Sequence, residues 1–284
     1  MLKKILGIAP KLESDGSYSP SKLALKLGTV SKTDFENISY NKYQGKKSKI
    51  LVIFTEQKNM IMQNGKMFST GNHPVEALVP MLHLQKAGFE FDIATPTGKP
   101  VVFELWAFPE KDEHVKAIYN ELKSSFEAPK KLGDFIKESF TEINSYAAVF
   151  VPGGHGSMLG IPQDENVGKI LNWAHQNNLY TISICHGPGS FLATTLGNEK
   201  FIYEGYNMCV FPDSVDKQTP LIGYLPGQMP WELSEKMKSL GVNLMNNKSD
   251  KTVCIDRKLI TGASPLASNE LGKLAAETLL KELK

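Results

Sequence analysis

The stretch that most constrains this chain is Tyr180-Thr-Ile-Ser-Ile-Cys-His-Gly-Pro-Gly189. Thr181 to Ile184 is a short β-branched run of the kind that forms a buried parallel strand, and Gly187-Pro188-Gly189 stops it just after a Cys-His pair. Cys185 is therefore expected at a strand-to-helix turn, a nucleophile elbow written with cysteine, where helix N-terminal amides would favour the thiolate. Most free cysteines are only small buried apolar residues. The partners of Cys185 have to decide between these readings.

The flanking pattern fixes the fold class. Lys49 to Thr55 reads as a buried strand, Pro74 to Gly88 as a helix, and Phe89 to Thr95 as a second strand, a βαβ unit that implies parallel pairing. Strand signals recur at 147–151 and 208–211, helical spacing at 166–177, 190–196 and 231–240, a further strand at 242–245 and a hairpin at 252–261. A last helix at 268–283 has Leu271, Leu274, Ala275 and Leu279 on one face. The sum is an α/β protein with a doubly wound, mostly parallel flavodoxin-like sheet whose ligands bind at the carboxyl ends of the strands. Two segments depart from the alternation. Residues 1–48 read as an irregular N-terminal arm, wrapped on the surface or on a partner subunit, before an α/β domain at 49–284. Residues 99–143 read as an inserted helical cap.

Composition removes several function classes. The 32 basic and 30 acidic residues leave +2, so charge does not indicate nucleic acid or an anionic membrane as partner. Three widely spaced cysteines, Cys185, Cys209 and Cys254, fit neither a disulfide framework nor a zinc cluster and suit a reducing, cytoplasmic setting. The N-terminal apolar run ends too soon for a secretory leader, and no apolar stretch is long enough to span a membrane.

Three loops should meet at the sheet edge. Val151-Pro-Gly-Gly-His-Gly156 follows a strand, and Gly153 and Gly154 there could turn backbone amides toward a ligand oxygen, although a glycine pair is commonly just a tight turn. In Cys185-His186, neighbouring side chains at a turn point different ways, so spacing alone does not put the imidazole on the sulfur. The alternative is that an acid orients His186 while its backbone N–H serves an oxyanion. Phe211-Pro-Asp-Ser-Val-Asp216 offers Asp213 or Asp216 as that acid. Glu76, in the first turn of its helix, is explained by the helix dipole alone, yet beside a thiol in an apolar pocket it could share a proton and act as a base.

Five stretches, Gly65-Lys-Met-Phe-Ser-Thr-Gly-Asn-His-Pro-Val-Glu76, Val151 to Gly156, Cys185 to Pro188, Phe211 to Pro220 and Leu266 to Ala275, resemble the ThiJ/PfpI superfamily. From about Lys49 onward the chain is similar to its HchA subfamily of heat-shock chaperones, also described as cofactor-independent glyoxalases (glyoxalase III) and as glycated-protein deglycases. The resemblance implies Cys185 as nucleophile, His186 as second member, Asp216 rather than Asp213 as third, and Glu76 as the carboxylate beside the sulfur. It also implies a cytoplasmic homodimer, a small 2-oxoaldehyde substrate such as methylglyoxal, glycated or unfolded proteins as partners, and no cofactor. The subfamily's zinc site, two histidines and a glutamate, matches Gln85, Glu90 and Leu122 here, so only Glu90 is retained and no metal is expected. His83, two residues from Gln85 on the helix, should face away from it. The rival readings are a cysteine peptidase, which would need an open cleft and His186 on the sulfur, and a holdase indifferent to Cys185. A class I amidotransferase is disfavoured, because its histidine lies far downstream of its cysteine.

Overall fold

The structure is a computed structural model that describes residues 7–283, apart from the side chains at 139, 141 and 143. Its centre is a seven-stranded sheet of β1 (Lys49–Ile53), β2 (Glu90–Thr95), β3 (Lys130–Lys131), β4 (Tyr146–Val151), β5 (Tyr180–Ile184), β6 (Val253–Asp256) and β7 (Leu259–Gly262). The spatial order is β6-β7-β5-β4-β1-β2-β3, with only the β6–β7 hairpin antiparallel. Alternate residues of β1 serve opposite layers. Ile50 and Val52 pack toward α2 (Pro74–Lys86) and the C-terminal α5 (Ser268–Glu282), while Leu51 and Ile53 pack toward α4 (Glu165–Gln176). Both faces are buried, which is why these strands are continuous apolar runs. Leu271, Ala275 and Leu279 of α5 are fully buried as their spacing predicts, and Gly272 lets α5 approach α2, since a Cβ there would lie 2.9 Å from Pro80 Cα.

Two segments differ from expectation. The described part of 1–48 is irregular over 29–48, as expected, but not before: Lys11–Leu12 and Tyr18–Ser19 join Asn59–Ile61 and Met67–Ser69 in a second, four-stranded sheet. A helix, α1 (Lys22–Gly28), follows, with the Ser21 hydroxyl accepting from Ala24 N at 3.1 Å. These elements are short and pair with residues far along the chain, so they leave no local period. Residues 1–6 of the arm lie outside the described residues. Over 99–143, α3 (Glu113–Glu121) and the helices Lys123–Glu127 and Leu132–Ser139 do not roof the site. They continue the layers around the β2 edge, with Val115, Ile118 and Phe126 in one core and Leu132 and Phe135 in the other. An amphipathic pattern reports a buried face without saying what buries it.

The helix expected at 190–196 is a stretch of 3₁₀ turns, Gly187–Asn198, broken at Leu196 and Gly197. Pro188 at the first turn is compatible with a helix, and the run ends where Leu196 turns extended at ψ 143° and Gly197 left-handed at φ +75°.

One buried amide ties the sheet to the loop before α2. Asn72, fully buried, accepts from Thr55 N at 3.1 Å and donates to Thr55 O at 3.0 Å and Val102 O at 2.7 Å. Asn72→Ala leaves Thr55 N without a partner, while Thr55 O and Val102 O keep their bonds from Val102 N and residue 72 N, and should cost about 1–3 kcal/mol of unfolding free energy in urea titrations. A loss below about 1 kcal/mol would show the clamp to be dispensable.

Candidate active site

Cys185 follows β5 directly, and its backbone is left-handed, with φ at +60°. A non-glycine residue held there costs about 1–3 kcal/mol. Two hydrogen bonds hold it: Cys185 N donates to Gly262 O on β7 at 2.8 Å, and Cys185 O accepts from Phe211 N at 2.8 Å. The turn aims the thiol onto the floor of a cavity of about 270 Å³ that also contains His73, Glu76, Gly154, His186 and Tyr224.

The imidazole of His186 does reach the sulfur. Its Nδ1 lies 3.3 Å from Cys185 Sγ and its Nε2 lies 2.8 Å from Asp216 Oδ2. The other carboxylate oxygen faces His155 Nε2 at 2.9 Å, so one buried aspartate serves two histidines whose rings are 4.1 Å apart. Burial opposes ionisation of Asp216, but His186 and His155 outweigh it and hold the carboxyl well below its usual range. The histidines divide. For His155 burial is outweighed by Asp216 and the ring is raised, whereas for His186 burial and the neighbouring His155 win and the ring is lowered. A neutral His186 that donates Nε2–H to Asp216 has its Nδ1 lone pair free to accept the thiol proton. Asp213, the other aspartate of this loop, instead accepts from Ser234 N and Glu235 N at 2.9 Å each, at a helix start.

Glu76 projects from the first turn of α2 to the opposite side of the sulfur. It is fully buried, its carboxyl oxygens have no regular hydrogen-bond partner, and its polar neighbours are the Cys185 thiol and the Gly154 amide. Gly153 makes this placement possible, because a Cβ there would fall 2.1 Å from Glu76 Oε2 and 2.4 Å from Ile184 O. Its part is therefore room, not the amide donation expected for both glycines. Gly153 does not line the cavity, whereas Gly154, at φ +96°, does. Electrostatics also correct the expected thiolate. Burial, then the charge of Glu76, pushes the thiol up, with only the His186 amide pulling the other way, and burial likewise pushes Glu76 up. Both shifts favour the protonated forms of the two neighbouring groups.

The family model described as DJ-1/PfpI family matches residues 67–202. Over 276 residues the chain is 48% identical to the protein/nucleic acid deglycase HchA of Pseudomonas aeruginosa, covering 96% of this chain and 94% of that one. It is 45% identical over 269 residues to the protein of the same name from Escherichia coli O157:H7, covering 95% and 94%. The chain belongs to the DJ-1/PfpI family, in its HchA branch. Among solved structures, Francisella tularensis Rapid Encystment Protein 24 KDa superimposes with a TM-score of 0.68 at 20% identity, over 82% of this chain and 99% of that one. A glyoxalase III from Candida albicans gives 0.61 at 22%, over 80% and 96%. Both show that the fold is shared.

Three polar residues of this DJ-1/PfpI site were not legible in the sequence. His155 lay inside the glycine-rich motif, where the glycines drew attention. His73 and Glu104 sit one and two residues from loop glycine or aromatic runs, and only the fold brings them to the cavity. Glu104 is buried, accepts from the Thr70 hydroxyl at 2.6 Å, and is pushed up by burial, against the pull of His155, to about 7. The branch's metal positions do not fit a metal in this chain. The Gln85 side chain donates to Glu121 at 2.7 Å, Glu90 is exposed, and Leu122 packs on the core and offers no ligand atom. His83 points elsewhere, its ring nitrogens 2.8 Å from Tyr40 Oη and 2.9 Å from Asn269 Oδ1. Among the described residues the one cluster with metal-like spacing is His155, His186 and Asp216, whose facing atoms are already hydrogen-bonded to one another.

Two labelling experiments follow from this geometry. Because the thiol is pushed up, alkylation of Cys185 by iodoacetamide should rise about tenfold per unit between about pH 6 and 8. A rate independent of pH there would reveal a preformed thiolate. Asp216→Asn should slow that alkylation about tenfold or more, by losing the His186 tautomer, and Asp213→Asn should leave it unchanged. Equal effects would place the histidine's orientation elsewhere.

Proposed function

We propose that this protein is a cofactor-independent glyoxalase III that converts methylglyoxal and related 2-oxoaldehydes to 2-hydroxy acids, and that the same site removes early glycation adducts. One observation carries the reading. A fully buried, unpartnered carboxyl, Glu76, is packed beside a thiol held in a left-handed elbow, in a cavity sized for a small molecule.

The chemistry uses water as its only co-reactant. The Cys185 sulfur adds to the aldehyde carbon while His186 Nδ1 takes the thiol proton and returns it to the aldehyde oxygen, giving a hemithioacetal. The backbone amide of His186, which faces the sulfur, is the donor at hand for that oxygen, with the Gly154 amide beside Glu76 as a second. Glu76 removes the proton on the former aldehyde carbon, an enediol forms, and Glu76 returns the proton to the neighbouring carbon. The product is a thioester of lactate, whose hydrolysis frees the acid and restores the thiol. Displacement at a hemithioacetal or aminocarbinol carbon, in which the Cys185 S–C bond forms, the bond to the protein side chain breaks and His186 passes the thiol proton to the departing thiol or amine, would release the side chain and give the same hemithioacetal.

The relatives' name as protein and nucleic acid deglycases supports the second activity. Nucleic-acid adducts would have to reach the cavity without electrostatic steering, since the chain carries only +2. A cytoplasmic homodimer that also holds unfolded clients completes the reading. Among the described residues no helix is long and apolar enough to cross a membrane. A peptidase is less well supported even with His186 on the sulfur, because an extended chain does not fit a cavity of about 270 Å³ whose thiol is 3% exposed.

Purified protein given methylglyoxal without glutathione should form lactate. Cys185→Ala should form none, and Glu76→Gln should lose at least about 100-fold. A loss below about tenfold would reduce Glu76 to a helix-start carboxylate. Suppression of client aggregation should survive both substitutions, and its disappearance with Cys185→Ala would tie holding to the thiol.

A further inference from the structure

The first turn of α2 directs two polar side chains at the cavity, and the reaction above uses one. His73 precedes Pro74 at the N-cap and Glu76 lies three residues on, a spacing that places both on one helix face. His73 caps nothing, since its side chain makes no hydrogen bond to the helix amides. Both ring nitrogens lack a partner, although the ring is only 5% exposed and lines the cavity with Glu76, Cys185 and His186. Its backbone is fixed, with His73 N donating to Gly153 O at 3.0 Å and Gly154 so close that a Cβ there would lie 2.4 Å from that nitrogen. A buried polar ring left unpaired beside the unpaired Glu76 carboxyl calls for a partner that arrives with the ligand.

A 2-oxoaldehyde supplies one. Its aldehyde oxygen is met by the groups around Cys185, but its ketone oxygen, where enediol formation deposits negative charge, has no donor in the scheme so far. We propose that His73, as a neutral imidazole, is a second catalytic residue that donates its N–H to this ketone oxygen while Glu76, on the same helical turn, removes the carbon-bound proton. The inference rests on the 2-oxoaldehyde reading of the site. As the C–H electron pair becomes the carbon–carbon double bond, the ketone π pair moves to oxygen and takes the proton of His73. His73 then recovers a proton from the adjacent hemithioacetal hydroxyl as that oxygen becomes the thioester carbonyl. One proton has moved between oxygens through His73 and one between carbons through Glu76, with no net change in either residue. Burial, with His155 and His186 nearby, keeps the ring neutral and its pKa down at about 3, which suits it to hydrogen-bond an enediol oxygen instead of surrendering a proton to solvent.

The test compares wild type, His73→Ala and His73→Gln with methylglyoxal deuterated at the aldehyde carbon, alongside covalent capture of Cys185, read as protection from iodoacetamide. His73→Ala should lose at least about 100-fold in kcat while capture persists, and its deuterium isotope effect should exceed that of wild type. His73→Gln, which keeps a donor, should recover part of the loss. Wild-type turnover with a loss below about fivefold in His73→Ala, or capture lost in step with turnover in both variants, would overturn the role of His73 alone. Absence of wild-type turnover would overturn the 2-oxoaldehyde reading and this inference with it.

Discussion

The site depends on a backbone constraint at Cys185. A left-handed residue between a strand and a tight Gly-Pro-Gly turn is unfavourable by itself, and it is kept by hydrogen bonds to β7 on one side and to Phe211 on the other. Both partners come from segments more than twenty residues downstream, so the elbow exists only once the sheet is closed. The bond to Phe211 also brings its loop, and with it Asp216, beneath His186. One strained residue thereby fixes the register of thiol, imidazole and carboxylate.

Burial then decides which of the assembled groups carry charge. Asp216 is held as the anion by the two histidines that share it, and those histidines are shifted apart. The His155 ring is raised and is the better proton holder, whereas the His186 ring is lowered, which favours a neutral ring with a lone pair toward sulfur. On the other side of the sulfur, Glu76 has no cation, and burial pushes it and the thiol up. Two carboxyls in one cavity with the sulfur are thus shifted in opposite directions by their neighbours, the pattern that separates an ionised carboxylate from a carboxyl held protonated.

Much of this was legible in the sequence. Strand signals at 49–55, 147–151 and 181–184 with a helix between the first two strands announced a parallel sheet, and the Gly-Pro-Gly after Cys185 announced the elbow. Asp216 was not separable from Asp213 by loop chemistry. It took the family resemblance to prefer it, and the structure shows Asp213 employed at a helix start. The thiolate expectation failed because it counted helix amides but not the burial of the sulfur or a carboxyl contributed by α2. The strands of the N-terminal segment were missed because they are two residues long and Tyr18, which ties them to the rest, pairs with Phe68. Pairing over such a separation has no local signature.

That segment changes what the cavity selects. Leu27, Gly28, Thr29 and Val30 form one wall, where a cap from residues 99–143 was expected, and of that inserted stretch Glu104 alone lines the cavity. Leu27, Val30 and Leu266 are substantially exposed at 65%, 45% and 49%, so the mouth is apolar while the floor is polar. An apolar rim over a floor of carboxyls and imidazoles leaves room for a compact ligand and offers an extended peptide no row of backbone partners. The wall is built by residues before the first strand of the sheet. The width of the mouth therefore depends on a part of the chain outside the seven-stranded sheet that holds the elbow.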